Sequence, residues 1–487
     1  MRLTPIGKLM FFLIGLALVA TAVHQVPAAR LAVQRLLGRA TPANEVTSST
    51  GSTDRPGQTA PSGRPSGATP RLRLHGSNTI GADLAPALAE KFLARQGATG
   101  IHRASGAADE MTVEGQVPGE SDPFVIEIAA HGSGTAFEDL ASGTADVGMA
   151  SRRIKPEEKL RLAALGDMTS SAAEHVLGLD GLAVLVARDN PVEALTLEQI
   201  RDLFSGRVAD WSALGGSPGP VQVYARDDRS GTFDTFKSLV LHDAPLAGSA
   251  RRYEDSRKLS ADVAGDPRGI GFVGLAYVGD AKALKVSEAG SVAYRPTVFT
   301  VRTEDYRLSR RLYLYASPTS TNPWVNKFIQ LALSDEGQAV VDAIGFVGQS
   351  LAAPVADAAP AHSGDVPPEY ARLTRDATRV PLDFRFESGS DRLDNKALRD
   401  IGRLLESLSQ PANRGKRVLL FGFADALGSA DANRRLSQAR AQAVAGELGS
   451  EGVRPDAVSG FGAALPVASN ETEEGRGRNR RVEVWLR

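Results

Sequence analysis

The chain has no cysteine in its 487 residues, which excludes a disulfide framework, thiolate zinc sites and Cys-based redox chemistry. It also lacks an excess of charge of either sign: Lys and Arg number 56, Asp and Glu 57, and the formal net charge is −1. No bulk field of that size gathers nucleic acid, so no nucleic-acid partner is expected and any anion binding must be local. Aromatic residues make up only 6%. The seven histidines, His75, His102, His131 and His175 among them, fall in no H-x-x-x-H or H-E-x-x-H spacing, so no metal and no cofactor is expected. No nucleophile–base pair or carboxylate dyad stands out either, and the chain does not read as an enzyme.

Long apolar runs are missing too, with one short exception. Arg2 and Lys8 precede an apolar stretch from Leu9 to about Val23, which is signal-peptide length and short of the ~20 residues of a confident membrane span. Export to the periplasm is therefore expected, with residues 1–25 as the signal and Ala20-Thr21-Ala22 as a small-x-small cleavage site. An uncleaved inner-membrane anchor is the alternative. No cysteine follows the run, so a bacterial lipoprotein anchor is excluded.

Two stretches cannot offset chain entropy by burying apolar surface. They are the Ser/Thr/Gly/Pro segment "TPANEVTSSTGSTDRPGQTAPSGRPSGATP" and the Ala/Pro-rich "LAAPVADAAPAHSGDVPPEY". They divide the chain into a linker over 26–70, a middle block over 71–352, a second linker over 353–378 and a C-terminal block over 379–487. In the middle block strand patterns ("RLRLHGS", "GLAVLVA") alternate with amphipathic helical ones ("LAPALAEKFLA", "TLEQIRDLFSG"), which predicts an α/β fold with mainly parallel sheets. The C-terminal block reads as α+β. Its strands are "RVLLFGFA" and "RRVEVWLR", and its helices run from Asp394 to Leu408 and from Asn433 to Leu448. In the first of these Leu398, Ile401, Leu404, Leu405 and Leu408 form one stripe, with Asp394 as N-cap.

Four strand ends in the middle block carry small polar turns: "LHGSNTIGADL", "AHGSGTAFEDL", "DVGMASRRI" and "VYARDDRSGTFDTF". Any one of them could be an ordinary helix cap, but four together are suited to a dehydrated oxyanion. Hydroxyls and helix-start N–H groups replace its hydration, and one Arg supplies a bidentate charge. "GIGFVG" at 269–274 satisfies G-x-G-x-x-G, yet no helix start follows it and no acid stands about 20 residues on, so it reads as a structural strand.

With these strings in place, the stretch from about 71 to 352 resembles the periplasmic phosphate-binding proteins of bacterial ABC importers, which have a two-lobed type II periplasmic-binding-protein fold. The resemblance also rests on "DGLAVLVARDNPVEALTLEQIRDLFSGRVADWSALGG" and "ALSDEGQAVVDAIGFV". It implies Arg226, Ser230, Gly231 and Thr232 as phosphate ligands, Thr79 and Ile80 as first-loop contacts, Ser133 as the second-loop hydroxyl and Ser151 in the last position. Several members have an acid in that last position to accept from protonated phosphate. Here the acceptor would have to be Asp227 or Asp228.

The C-terminal block resembles the OmpA-like peptidoglycan-binding domain in "LDFRFESGSDRLDNKALRDIGRLL", "GFADALGSADANRRLSQARAQAV" and "GFGAALPVASNETEEGRGRNRRVEVWL". Asp425 after a strand and Arg440 in the next helix could converge on the ammonium and carboxylate of one diaminopimelate end of the stem peptide. The bland alternative is a salt bridge between the two. Asn433 is expected to brace the loop and Arg481 to touch ligand, and Phe423-Ala424 replaces the usual His-Thr before the Asp. The combined resemblance implies a non-enzymatic periplasmic binding protein for inorganic phosphate, tethered to peptidoglycan and able to serve an ABC permease. Rival readings are another oxyanion such as sulfate or molybdate, a structural or sensory wall protein whose cleft does not feed transport, and, more distantly, a hydrolase of phosphate esters. The second linker is expected to make the two sites independent.

Overall fold

The computed structural model describes residues 69–487 apart from 229, 289–290, 352–364, 387–389 and 391. The expected signal or anchor and almost all of the first linker therefore lie outside the described residues. An 11-stranded sheet runs through the middle block. Its first half holds β1 (Leu72–Gly76), β2 (Thr99–Ser105), β3 (Glu110–Gln116), β4 (Phe124–Ala129) and β5 (Val147–Ala150). Two long central strands follow, β6 (Glu174–Val186) and, much later in the chain, β13 (Ser309–Tyr315). The second half holds β8 (Gln222–Arg226), β9 (Arg251–Tyr253), β10 (Gly269–Gly274) and β11 (Lys282–Ala283), while β7 (Ala194–Thr196) and β12 (Lys285–Ser287) pair apart. The strand order β2-β3-β4-β1-β5-β13-β6-β10-β8-β9 puts β13 and β6 between the two lobes.

Each lobe has its own core. Leu74, Ile126, Val147 and Phe328 belong to the first, and Phe204, Trp211, Phe236 and Phe272 to the second. β6 is buried along its whole length and feeds both cores, Leu177 going to the first and Leu182 and Val184 to the second. The sheet is mixed, against the expectation of mainly parallel strands. β1 is parallel to β4 and β5, and β8 to β9 and β10, but β6 and β13 are antiparallel to their neighbours, as is the β2–β3 edge hairpin. The physical reason is that β6 and β13 carry the chain between the lobes in opposite directions. "GIGFVG" is β10, a buried strand between β6 and β8.

The C-terminal block forms a four-stranded sheet in the order β14-β17-β15-β16, from β14 (Thr378–Arg385), β15 (Val418–Gly422), β16 (Ala457–Gly460) and β17 (Arg481–Leu486). Of the expected helical stripe, Ile401 and Leu404 are buried but Leu398 is 43% exposed. Asp394 does cap this helix, accepting from the Ala397 amide at 2.8 Å. The expected linker over 353–378 also contains a helix, Pro368–Thr374. Its Tyr370 is buried against Phe421, Phe423, Phe461 and Trp485 and donates to Glu483 Oε2 at 2.7 Å. Val366, Leu373 and Ala377 pack against the same cluster and help to seat this helix.

The described residues form one compact unit, and the C-terminal sheet is docked against the middle block through buried ion pairs. Arg379 Nη2 donates to Asp305 Oδ2 at 3.1 Å and to Asp383, while Arg311 Nη1 donates to Asp394 Oδ2 at 2.6 Å. Arg379, Asp305 and Asp383 are essentially inaccessible to water, and Arg379 is also held by the charge of Glu483. The expectation that a loose linker makes the two sites independent is therefore replaced by a rigid docking. Burial pushes the Asp383 carboxyl up to about 6 despite the neighbouring Arg379.

At the same junction burial opposes the charge of Glu304, but Arg311, Lys396 and Arg385 override it and hold the carboxyl down at about 2, from an ordinary 4.5. A depressed carboxylate contributes stability that is present above its unfolded pKa and is lost as pH falls through the folded one. Glu304→Gln is expected to flatten the acid limb of the stability curve between those two values, removing up to about 3 kcal/mol of pH dependence. Chemical unfolding at a series of pH values measures it, and identical acid limbs for the two proteins would contradict it.

Candidate functional site

Parallel strands end together, and the turns that follow them meet. The carboxyl ends of β4, β1 and β5 lie side by side, so the turns after them are neighbours. Gly132 N donates to Gly76 O and Ser77 N to Met149 O, each at 2.8 Å. Gly76 has φ +135°, and a Cβ there would stand 2.1 Å from Met149 O, so this corner requires glycine. Crevices outside the carboxyl ends of strands are the usual ligand position in open α/β sheets. The short helices α1 (Asn78–Gly81) and α2 (Ser133–Ser142) start here, and α3 (Gly231–Phe236) starts after β8.

Thr79 and Gly231 meet across the lobes. Thr79 Oγ1 donates to Gly231 O at 3.1 Å, and a Cβ on Gly231 would lie 2.4 Å from Thr79 Cα. Ser230 caps α3, its Oγ accepting from Phe233 N at 3.4 Å. Ser133 and Ser151 are brought together as expected neighbours, the Ser151 amide donating to Ser133 Oγ at 3.0 Å with the two hydroxyls 3.1 Å apart. Thr232 is half-buried on the first turn of α3. Ile80 differs from its expected part: its side chain is wholly in the first-lobe core, and its amide is taken by Ser77 O at 3.2 Å.

Arg226 does not join these turns directly. Its Nη2 donates to Glu254 O at 2.9 Å, its Nε to Tyr253 O at 3.2 Å and its Nη1 to Ser256 Oγ, all within its own lobe. Among the described residues the cation at the junction itself is Arg310 on β13, which sequence reasoning missed. Its Nη2 donates to Thr79 Oγ1 at 2.7 Å, to Gly231 O at 3.4 Å and to Thr235 Oγ1, and its Nε faces Asp180 Oδ2 at 3.4 Å. Two adjacent arginines in the otherwise apolar strand "LSRRLYLY" were the available signal. Burial lowers the pKa of both Arg226 and Arg310, as it does for cations stripped of water. Asp228 accepts from Arg252 at 2.7 Å, and Arg152 forms a two-pronged pair with Glu158 at 2.6 and 2.8 Å.

In the C-terminal sheet Asp425 follows β15, and its carboxylate accepts from Arg480 Nη1 at 3.0 Å and from the Leu427 amide at 2.9 Å. Arg440 lies in the helix Ala430–Ser450, buried under the Phe386 ring at 5.3 Å, with Nη2 donating to Ser390 O at 3.3 Å. The partner of Asp425 is thus Arg480 and not Arg440. Asn433 sits in the first turn of that helix, its amide donating to Ser429 O at 3.0 Å. Arg481 is structural, against the expectation of a ligand contact: it is fully buried, lies 4.0 Å over the Phe423 ring and donates to Glu483 Oε1 and Leu465 O. Phe423, the departure before Asp425, is the buried platform for that arginine.

The Thr79–Gly231 contact gives a direct test of the cleft. Gly231→Ala places a methyl group into the Thr79 backbone, and overpacking of this kind costs typically about 1–3 kcal/mol. The strain is relieved if the lobes part, so solution scattering is expected to give a larger radius of gyration with an unchanged circular dichroism spectrum. An unchanged radius would contradict the closed contact.

Over residues 96–336 the chain matches the family described as PBP superfamily domain, and over residues 385–480 the OmpA family. The phosphate-binding protein PstS of Staphylococcus saprophyticus is 28% identical over 305 residues, covering 57% of this chain and 90% of that protein. The phosphate-binding protein PstS of Staphylococcus epidermidis is 31% identical over 225 residues, covering 44% of this chain and 67% of that protein. The crystal structure of an ABC-type phosphate transport receptor from Vibrio cholerae is 21% identical, covers 57% of this chain and 99% of that one, and superposes with a TM-score of 0.44. The chain belongs to the two-lobed periplasmic-binding-protein family that includes these PstS proteins, and it carries an OmpA-family domain behind that fold.

Proposed function

We propose that this protein binds inorganic phosphate between its two lobes, outside the cytoplasm, and is held to peptidoglycan by its C-terminal domain. The observation that carries the reading is the meeting of the Thr79 turn of one lobe with the Ser230–Thr232 turn of the other, beside the Ser133–Ser151 pair. Hydroxyls from both lobes then replace the hydration of one oxyanion, and lobe closure excludes water. Ser230, Gly231, Thr232, Thr79, Ser133 and Ser151 supply neutral donors. Arg226 and Arg310 supply the charge, Arg226 turning from its backbone acceptors to the anion. Ile80 contributes packing. Binding of this kind needs no catalytic group.

In the C-terminal domain Asp425 would take the ammonium and Arg440 the carboxylate of a diaminopimelate end, Asp425 exchanging Arg480 for the ligand while Asn433 holds the helix start. No helix among the described residues is long and apolar enough to cross a membrane. An ABC permease is a partner consistent with the PstS relatives, and a mobile carrier would require release from the wall. Calorimetry against phosphate, sulfate and molybdate tests the anion reading. Phosphate is expected to bind most tightly, and Arg226→Ala to lose at least about 2–3 kcal/mol, a factor of roughly 30 to 150. Unchanged affinity in that variant would remove Arg226 from the site, and absence of phosphate binding in the native chain would overturn the reading.

A further inference from the structure

The C-terminal domain touches both lobes at once. On the first-lobe side Asn395 Nδ2 donates to Glu174 Oε1 at 3.0 Å and to Thr169 O at 2.8 Å, and Arg403 Nη1 donates to Gln349 Oε1 at 3.1 Å. On the second-lobe side Arg478 Nη1 donates to Glu304 O at 2.6 Å and to Tyr306 O at 2.9 Å, and Glu474 takes both Nη groups of Arg307 at 2.8 Å. Val467 goes further and is buried in the second-lobe core, lining one pocket with Val286 and Tyr294. The two sets of contacts lie on either side of the point where β6 and β13 pass between the lobes. A body fixed to both sides of a hinge sets its angle.

We infer that the C-terminal domain is a brace across the hinge, which holds the lobes in the closed arrangement even without anion. Opening the cleft then requires that the domain let go of one lobe. The segment it grips, 303–309, leads into β13, and one residue later Arg310 holds Thr79 and Gly231 at the cleft. On the opposite face of the same strand Arg311 is tied to Asp394 of the C-terminal domain. Thr79 and Gly231 therefore stay in contact as long as the grip on 303–311 holds.

The inference rests on the anion-binding reading for its consequence. If the brace keeps nearly every molecule closed, its loss to a state closed only a tenth of the time weakens apparent phosphate affinity about tenfold, because affinity scales with the competent fraction. By reciprocity, phosphate tightens the docking by the same factor.

The absence of native cysteine allows spin labels at Glu138→Cys on the first lobe and Ser238→Cys on the second, both exposed, in the full chain. Dipolar distances are read without and with inorganic phosphate. In the otherwise native chain a single narrow distance is expected in both conditions. Arg478→Ala is expected to lengthen and broaden it without phosphate, and added phosphate to restore it. Glu474→Arg reverses a half-exposed charge at the Arg307 contact, is compatible with folding, and is expected to shift the distance in the same direction. If both variants keep the native distance without phosphate, the brace is overturned. If the distances shift but calorimetry finds no phosphate binding in any of the proteins, the brace stands and the anion reading falls.

Discussion

The structure turns on the antiparallel pairing of β6 with β13. β6 feeds the cores of both lobes and β13 pairs along it, and their register sets Arg310 opposite Asp180. Side chains alternate along a strand, so the two consecutive arginines of β13 leave on opposite faces. Arg310 enters the cleft and touches Thr79 and the Gly231 carbonyl, while Arg311 is bound from behind by Glu304 and Asp394. A one-residue slip would exchange them and empty both places.

The charges behind the hinge are costly to bury. Arg379, Arg385 and Arg481 stand with Asp305, Asp383 and Glu483 in a region almost closed to water. Such clusters repay their desolvation only where the geometry is good, and removing one member leaves its partner buried and uncompensated. Asp305 belongs to the middle block and the other five to the C-terminal domain, so separation of the two would leave a carboxylate and its arginines without each other. That is a reason for the two parts to behave as one body, where a hydrophobic junction of the same area would be less specific in orientation.

Much of this was written in local sequence. Thr196 and Gln199 form a capping box at the helix Leu197–Phe204, Asp394 caps its helix, and the Ser-Gly-Thr turn stands where a strand becomes a helix. Local rules are legible because the interacting groups are three or four residues apart. The C-terminal strand and helix patterns were legible for the same reason. What was hidden depends on distant partners. Arg310 looks like any charged residue of an edge strand until β6 supplies Asp180. Tyr370 is one aromatic in a Pro/Ala-rich stretch, and its value comes from Glu483, more than a hundred residues away. Arg478, in the run "GRGRNRR", reads as a solvated charge until Glu304 and Tyr306 present their carbonyls. Leu398 followed the helical period yet stayed exposed, since the period gives a face and not the width of what covers it.

On the proposed reading, one set of groups serves an oxyanion and another a zwitterion, and both are carried by one chain. That reading requires one chain to hold both ligands at once. Sedimentation of purified sacculi with the full chain and radiolabelled phosphate measures this directly. Label is expected in the pellet in proportion to bound protein, displaced by unlabelled phosphate but not by sulfate, and absent when Asp425→Ala or Arg440→Ala leaves the protein in the supernatant. A pellet rich in protein but free of label would contradict the central claim.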